Sequence, residues 1–168
     1  TTAAAVVEEL EEYLSKDDLV LDGGACAVGV ESTIIDCTGL LPRVLRPGAI
    51  STAMIEEVTG LTAVSIDGVD EIRVSGSLEN HYAPAAKVLL CEVPIAGQGF
   101  IAHKNIETPQ GVIRLASPSD NEEFARVLYA ALRSADERSL TRVVVHQPSG
   151  DDISVAIRDR LLRASRGR

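Results

Sequence analysis

Apolar positions recur at helical spacing in several stretches of the chain and cluster in short β-branched runs between them. Over residues 3–15, Val6, Val7, Leu10 and Leu14 share one face while Glu8, Glu9, Glu11 and Glu12 cover the other. This predicts an amphipathic helix with Thr2 as its N-cap. Leu19-Val20-Leu21 reads as a short strand ending at Asp22-Gly23-Gly24, and the run Gly29 to Asp36 is β-branched and strand-like. Val44-Leu45-Arg46 forms a third strand, stopped by Pro47-Gly48, after which Ser51 caps a short helix carrying Met54, Ile55 and Val58.

Residues 67–87 show no sustained period and hold Gly68, Ser75, Gly76, Ser77 and Pro84, the composition of a linker. A second pattern follows. Val88 to Cys91, Val112 to Leu115 and Val143 to Val145 read as strands. Asp120 caps a helix with Phe124, Val127, Leu128, Ala131 and Leu132 at helical spacing, and Asp151 or Asp152 opens a last helix with Ile153, Ile157, Leu161 and Ala164 on one side. Short apolar strands alternating with amphipathic helices predict an α/β fold with a parallel layer. The division expected is residues 1–66, a linker at 67–87, and a small α/β unit at 88–168.

Composition sharpens this division. The chain has 168 residues and a formal net charge of −9, with 45% hydrophobic and 24% charged residues, which suits one full domain or two small ones. Residues 1–70 hold 13 acidic and 3 basic side chains, whereas residues 71–168 hold 12 and 13, so the charge balance changes at the linker. An acidic chain does not hold nucleic acid or polyphosphate by net charge. The five aromatic residues, two Phe and three Tyr, also offer few stacking platforms for RNA. No run of 18 apolar residues suggests a membrane span, and no secretory signal opens the chain. Three widely spaced cysteines, Cys26, Cys37 and Cys91, fit reduced thiols in a cytoplasmic protein better than a disulfide framework or zinc site. The single methionine is Met54, which leads to the expectation that the chain is part of a longer protein.

The candidate chemistry is sparse. Neither Gly23-Gly24-Ala25-Cys26-Ala27-Val28-Gly29 nor Gly97-Gln98-Gly99 carries the Lys-Ser/Thr of a P-loop, and the second reads as a tight turn. His81, His103 and His146 are scattered, so no metal site is expected. Cys26 has no basic neighbour to activate it and reads as a packed thiol. Ser32 lies on no nucleophile elbow and reads as a binding hydroxyl. Arg46 ends a strand where its guanidinium can leave the sheet edge, free to bind a ligand or to pair with a local carboxylate such as Asp36 or Glu31.

Three ordered motifs carry a family resemblance. The run Leu21-Asp22-Gly23-Gly24-x-Cys26-x-Val28-Gly29-Val30-Glu31-Ser32-Thr33-Ile34-Ile35-Asp36, followed by Leu45-Arg46-Pro47-Gly48-Ala49-Ile50, resembles the second half of the YrdC-like domain of threonylcarbamoyl-AMP synthases. Ser75-Gly76-x-Leu78-x-x-His81-Tyr82-Ala83-Pro84 resembles the linker of the two-domain type, and Asp159-Arg160-Leu161-x-Arg163-Ala164 is similar to the end of its small C-terminal domain. The resemblance implies the later part of a twisted YrdC-like α/β domain, a linker, and a Rossmann-like accessory domain. It implies a nucleotidyltransferase joining L-threonine, bicarbonate or CO2, and ATP with its Mg2+ into threonylcarbamoyl-adenylate for tRNA modification, with downstream tRNA-modification proteins as partners. By the same resemblance Ser32 binds L-threonine, Arg46 binds ATP, Tyr82 closes over the nucleotide and His81 is a structural linker residue.

Departures from the family pattern matter as well. Its N-terminal lysine-and-arginine strand and Ser-x-Asn loop are not found ahead of these motifs, and Thr1-Thr2-Ala3 resembles the segment after that loop. The expectation is a chain inactive by itself. The alternative is a non-catalytic α/β interaction or regulatory module built on residues 88–168, and direct RNA binding is disfavoured.

Overall fold

The computed structural model describes residues 1–65, 74–75 and 83–166. Most of the expected linker, including His81 and Tyr82, lies outside the described residues. The elements are α1 (Ala3–Leu10), β1 (Ile34–Asp36), β2 (Arg43–Arg46), α2 (Thr52–Thr59), β3 (Val64–Ser65), β4 (Lys87–Leu89), β5 (Gly99–Ile101), β6 (Ile113–Ala116), α3 (Asn121–Glu137), β7 (Arg142–Val145) and α4 (Ser154–Ser165).

They form two sheets. The first has the order β1-β2-β3, with β1 antiparallel and β3 parallel to β2. The second has the order β4-β7-β5-β6 and is parallel throughout, as the alternation of apolar strands and helices predicts. Side chains of the second sheet alternate between two buried faces. Val88, Ile101, Val143 and Val145 pack with Phe124, Leu128 and Leu132 of α3 and with Ile157 and Leu161 of α4. Leu89, Phe100, Ala102 and Val144 form a smaller cluster on the other face, flanked by Ile106 and Val112. The core of the first sheet is small, comprising Val44, Ile55 and Ala63 with Ile35 against them.

Capping follows the sequence closely. Thr2, Ser51 and Asp120 accept from the amides of Ala5, Met54 and Glu123, respectively, and so satisfy donors that have no partner within the helix. The last helix departs from this: neither Asp151 nor Asp152 is its cap, because Ile153 holds the N-cap position without a side-chain bond, and Asp152 instead accepts from the Ser154 amide two residues on, at 2.9 Å.

Several expectations fail for identifiable reasons. The helix predicted over 3–15 stops at Leu10, because Val6, Val7 and Leu10 are exposed and no residue of α1 is buried. A two-turn helix without packing has little to extend it. Downstream, the Asp18 carboxylate takes the Ser15 amide at 2.7 Å and its hydroxyl at 2.8 Å, a local alternative to helical bonds. Leu19-Val20-Leu21 is not a strand, and Leu19 and Leu21 are exposed with no ladder partner among the described residues. The predicted strand at 29–36 is confined to its last three residues, and strands β3 and β5 are additional to those the sequence predicts. β5 begins at Gly99, immediately after the turn at Gly97, so its short apolar run is hidden behind a turn signal.

Candidate functional site

Ser32 and Arg46 lie on neighbouring strand ends. Arg46 closes β2, Ser32 stands just before β1, and the register pairs Ile34 with Arg46. The Arg46 side chain, which is buried, turns back over this pair. Its Nε donates to the Ser32 carbonyl at 3.1 Å and its Nη2 to the Ser32 hydroxyl at 3.3 Å. Nη1 donates to the carbonyl of Ser75 at 2.8 Å. A guanidinium carries five N–H groups in a planar fork. These contacts use three of them, so one cation ties together the Ser32 segment and the stretch that leads toward Tyr82.

Among the described residues, neither carboxylate named as a partner for Arg46 pairs with it. Asp36 is taken by Arg43, which bonds it through Nε at 3.1 Å and through Nη2, while Thr38 donates to the same carboxylate from its amide and hydroxyl. The Arg43 hydrogen bond, followed by those of Thr38, holds the Asp36 carboxyl down at about 2. Glu31 is taken by Arg160 of α4, whose Nε donates to it at 2.7 Å, and by the Tyr129 hydroxyl of α3 at 3.0 and 3.1 Å. Both carboxylates offered as partners for Arg46 are therefore committed to other cations.

Glu31 and Arg160 form a pair beside Ser32 and Arg46 that the sequence does not reveal. Both belong to the family-like motifs, but nothing in a sequence joins positions 31 and 160. The Arg160 side chain is 2% exposed. Burial alone would lower its pKa, yet the hydrogen bond and charge of Glu31, together with the charge of Asp159, outweigh that and raise it. Its Nη2 also donates to the Pro47 carbonyl at 3.1 Å, so Arg160 holds the residue before Ser32 and the residue after Arg46. Two glycines permit this packing. Gly29 has φ +85°, and a Cβ there would lie 2.3 Å from the Arg126 Cα of α3. A Cβ on Gly48 would lie 2.3 Å from the Thr33 nitrogen.

Other candidates fall away. The first glycine stretch runs into a bend and not into a helix, and Asp22 caps its turn by accepting from the Gly24 amide at 2.9 Å. Cys26, expected as a packed thiol, is exposed, as are Cys37 and Cys91. The Cys26 loop runs across the surface with its neighbours Gly24 to Val28 also exposed, so none of the described residues buries the thiol. His103 stacks edge-on against Phe124, with ring centroids 5.3 Å apart. Among the described residues, no group of three His, Cys, Asp or Glu side chains could hold a metal ion, and no helix is long and apolar enough to cross a membrane.

Comparison with known proteins adds the family. The model of the threonylcarbamoyl-AMP synthase C-terminal domain matches residues 50–166. The chain belongs to the threonylcarbamoyl-AMP synthase family. It is 32% identical to the threonylcarbamoyl-AMP synthase of Pyrococcus abyssi (strain GE5 / Orsay) over 92% of this chain and 51% of the relative. It is 30% identical to that of Bacillus subtilis (strain 168) over 100% of this chain and 54% of the relative. A crystal structure of P. abyssi Sua5 complexed with L-threonine superposes with a TM-score of 0.80 at 28% identity, covering 98% of this chain and 53% of that one. The chain thus spans about half the length of the threonylcarbamoyl-AMP synthases it matches.

Proposed function

We propose that these residues contribute to a threonylcarbamoyl-adenylate synthase, a nucleotidyltransferase. The enzyme would join L-threonine, bicarbonate or CO2, and MgATP, with release of pyrophosphate, and its product would go on to tRNA-modification proteins in the cytoplasm. In this reading Ser32 binds L-threonine, while Arg46 and Tyr82 serve ATP. The observation that carries it is the Arg46 fork, which contacts Ser32 on one side and Ser75 on the other. A hydroxyl can donate to an amino-acid carboxylate. The two N–H groups of Arg46 outside these contacts suit phosphate oxygens, and their effect grows as charge builds on the α-phosphate during adenylation. A tyrosine offers a flat face and one hydroxyl with which to shut a nucleotide pocket against water. The similarity to the L-threonine-complexed structure supports the amino-acid substrate.

The cations available near this site are few for a triphosphate, since residues 1–70 hold only 3 basic side chains. The site is therefore read as shared with the half of the relatives that this chain does not match. Pyrophosphate release dependent on ATP, L-threonine and bicarbonate tests the proposal. The 168 residues alone should show background turnover, and robust turnover by them would overturn the shared-site reading. In an enzyme completed with the other half, Arg46→Ala should lower kcat/KM for ATP by roughly 10- to 100-fold, the scale of a lost charge-assisted contact. Tyr82→Ala should lower kcat by loosening closure. If Arg46→Ala lowers the melting temperature and leaves the kinetics intact, the residue is structural and the ATP assignment fails.

A further inference from the structure

Arg160 sits in a helix of the second unit, and it grips the first unit at two points that flank the proposed site residues. Its Nε donates to the Glu31 carboxylate at 2.7 Å, one residue before Ser32. Its Nη2 donates to the Pro47 carbonyl at 3.1 Å, one residue after Arg46. The remaining nitrogen is held by Asp159, whose carboxylate also takes Arg163 from Nε at 3.1 Å and from Nη2 at 3.0 Å. Tyr129 of α3 donates its hydroxyl to the same Glu31 carboxylate, so the two helices that share one face of the second sheet, α3 and α4, converge on this one side chain. Ser32 itself is exposed and makes its described side-chain contact with Arg46.

We propose that Arg160 is a positioning residue for the Ser32–Arg46 site, through which α4 of the second unit sets the spacing of the two strand ends that carry those residues. The β1–β2 ladder, the Arg46–Ser32 bonds and the Thr33 hydroxyl on the Ile50 carbonyl at 2.8 Å already join the two segments, and a planar guanidinium bonded to both adds a brace that ties their separation to α4. A displacement of about 1 Å between a substrate-binding hydroxyl and a phosphate-binding cation is enough to cost a large part of the rate. The second unit thereby acts on the site without touching substrate. The kinetic side of this inference rests on the assignment of Ser32 and Arg46 to substrates; the structural side does not.

Two measurements test it, with Arg160→Lys, Arg160→Gln and Glu31→Gln. In the 168-residue chain, hydrogen exchange should speed up roughly tenfold in residues 29–36 and 43–48 while Phe124 to Leu132 of α3 stay protected. Exchange that rises equally in α3, or does not rise at all, overturns positioning. Because Arg160→Gln empties a buried cation site and the chain can unfold, Glu31→Gln, altered on the part-exposed partner, provides the same reading. In the completed enzyme, KM for both L-threonine and ATP should rise severalfold with Arg160→Gln. Arg160→Lys should recover part of the loss, since it keeps the charge opposite Glu31 and loses the fork. A lowered melting temperature with unchanged KM values would overturn the proposal. Wild-type enzyme that releases no pyrophosphate would overturn the functional reading instead, and the exchange result would still decide positioning.

Discussion

Arg43 and Arg46 lie three positions apart on one strand and meet different fates. Arg43 is bonded to Asp36, which also accepts two bonds from Thr38, and this closes the β1–β2 turn. Arg46 is buried against backbone carbonyls and a hydroxyl, an arrangement that leaves its charge without a carboxylate among these contacts. The first case gives a pH prediction. The Asp36 carboxyl titrates at about 2 in the folded chain, against about 3.9 when unfolded. A depressed folded value means that the stabilisation is complete above about pH 4 and is lost as pH falls toward about 2. The melting-temperature gap between the wild type and Asp36→Asn should therefore be constant near neutrality and close over that acid window. A gap that persists unchanged to pH 2 would show that the carboxylate's charge is not what the turn uses. Arg46 stands out in the sequence by its place before Pro47-Gly48. Its partners do not, because Ser75 is 29 positions away and Glu31 had a competitor at position 160.

Among the elements, local signals and tertiary contacts contributed unequally. The caps of α1, α2 and α3 and the strands Arg43–Arg46 and Arg142–Val145 were readable because hydrogen-bonding side chains and β-branched runs act within a few residues. The reach of α1 and the fate of Leu19 to Leu21 were not, since both depend on whether an apolar face finds a partner. The segment 29–33 shows the converse: it reads as strand, yet its first residues serve as a docking edge. Gly29 lies against the α3 backbone at φ +85°, so Gly29→Ala adds both a backbone strain and an overlap. Urea unfolding followed by circular dichroism should show a loss of about 3 kcal/mol, the sum of two typical costs of those kinds. Gly23→Ala, where a Cβ meets nothing within 4 Å, is the control and should shift stability by less than about 0.5 kcal/mol. Equal effects at the two positions would mean that the Gly29 contact is not closely packed in solution.

Across the molecule, the apolar core is concentrated in one half. Its largest cluster draws only on residues from Ala86 onward, apart from Val30 packed against its edge. Around the first sheet the buried apolar cluster is only Val44, Ile55 of α2 and Ala63, and this unit leans on the second through Glu31, Pro47 and Gly29. α1 is held to α3 by Arg133, which reaches Glu8 at 2.8 Å and Glu9 at 3.1 Å, both exposed carboxylates. Such pairs contribute little and are screened by salt. We therefore expect residues 86–168 to melt cooperatively by themselves, while residues 1–70 are cut first by protease in the intact chain. A non-cooperative melt of 86–168 would show that its core needs the first unit. Cooperative melting alone would also suit a non-catalytic module, so the enzyme reading depends on the pyrophosphate assay and not on this result.

What the sequence determined by itself was whatever short-range chemistry encodes: the helix caps, the β-branched strands, the parallel α/β class of the second half, and the motifs that resemble one enzyme family. The acidic excess over residues 1–70 was equally plain, and so was the scarcity of cations for a triphosphate. The tertiary structure decided the pairings. It gave Asp36 to Arg43, Glu31 to Arg160, and Ser32 together with Ser75 to Arg46. The reason is physical: a charge selects its partner by distance and desolvation, and both are set by packing between residues far apart in the chain.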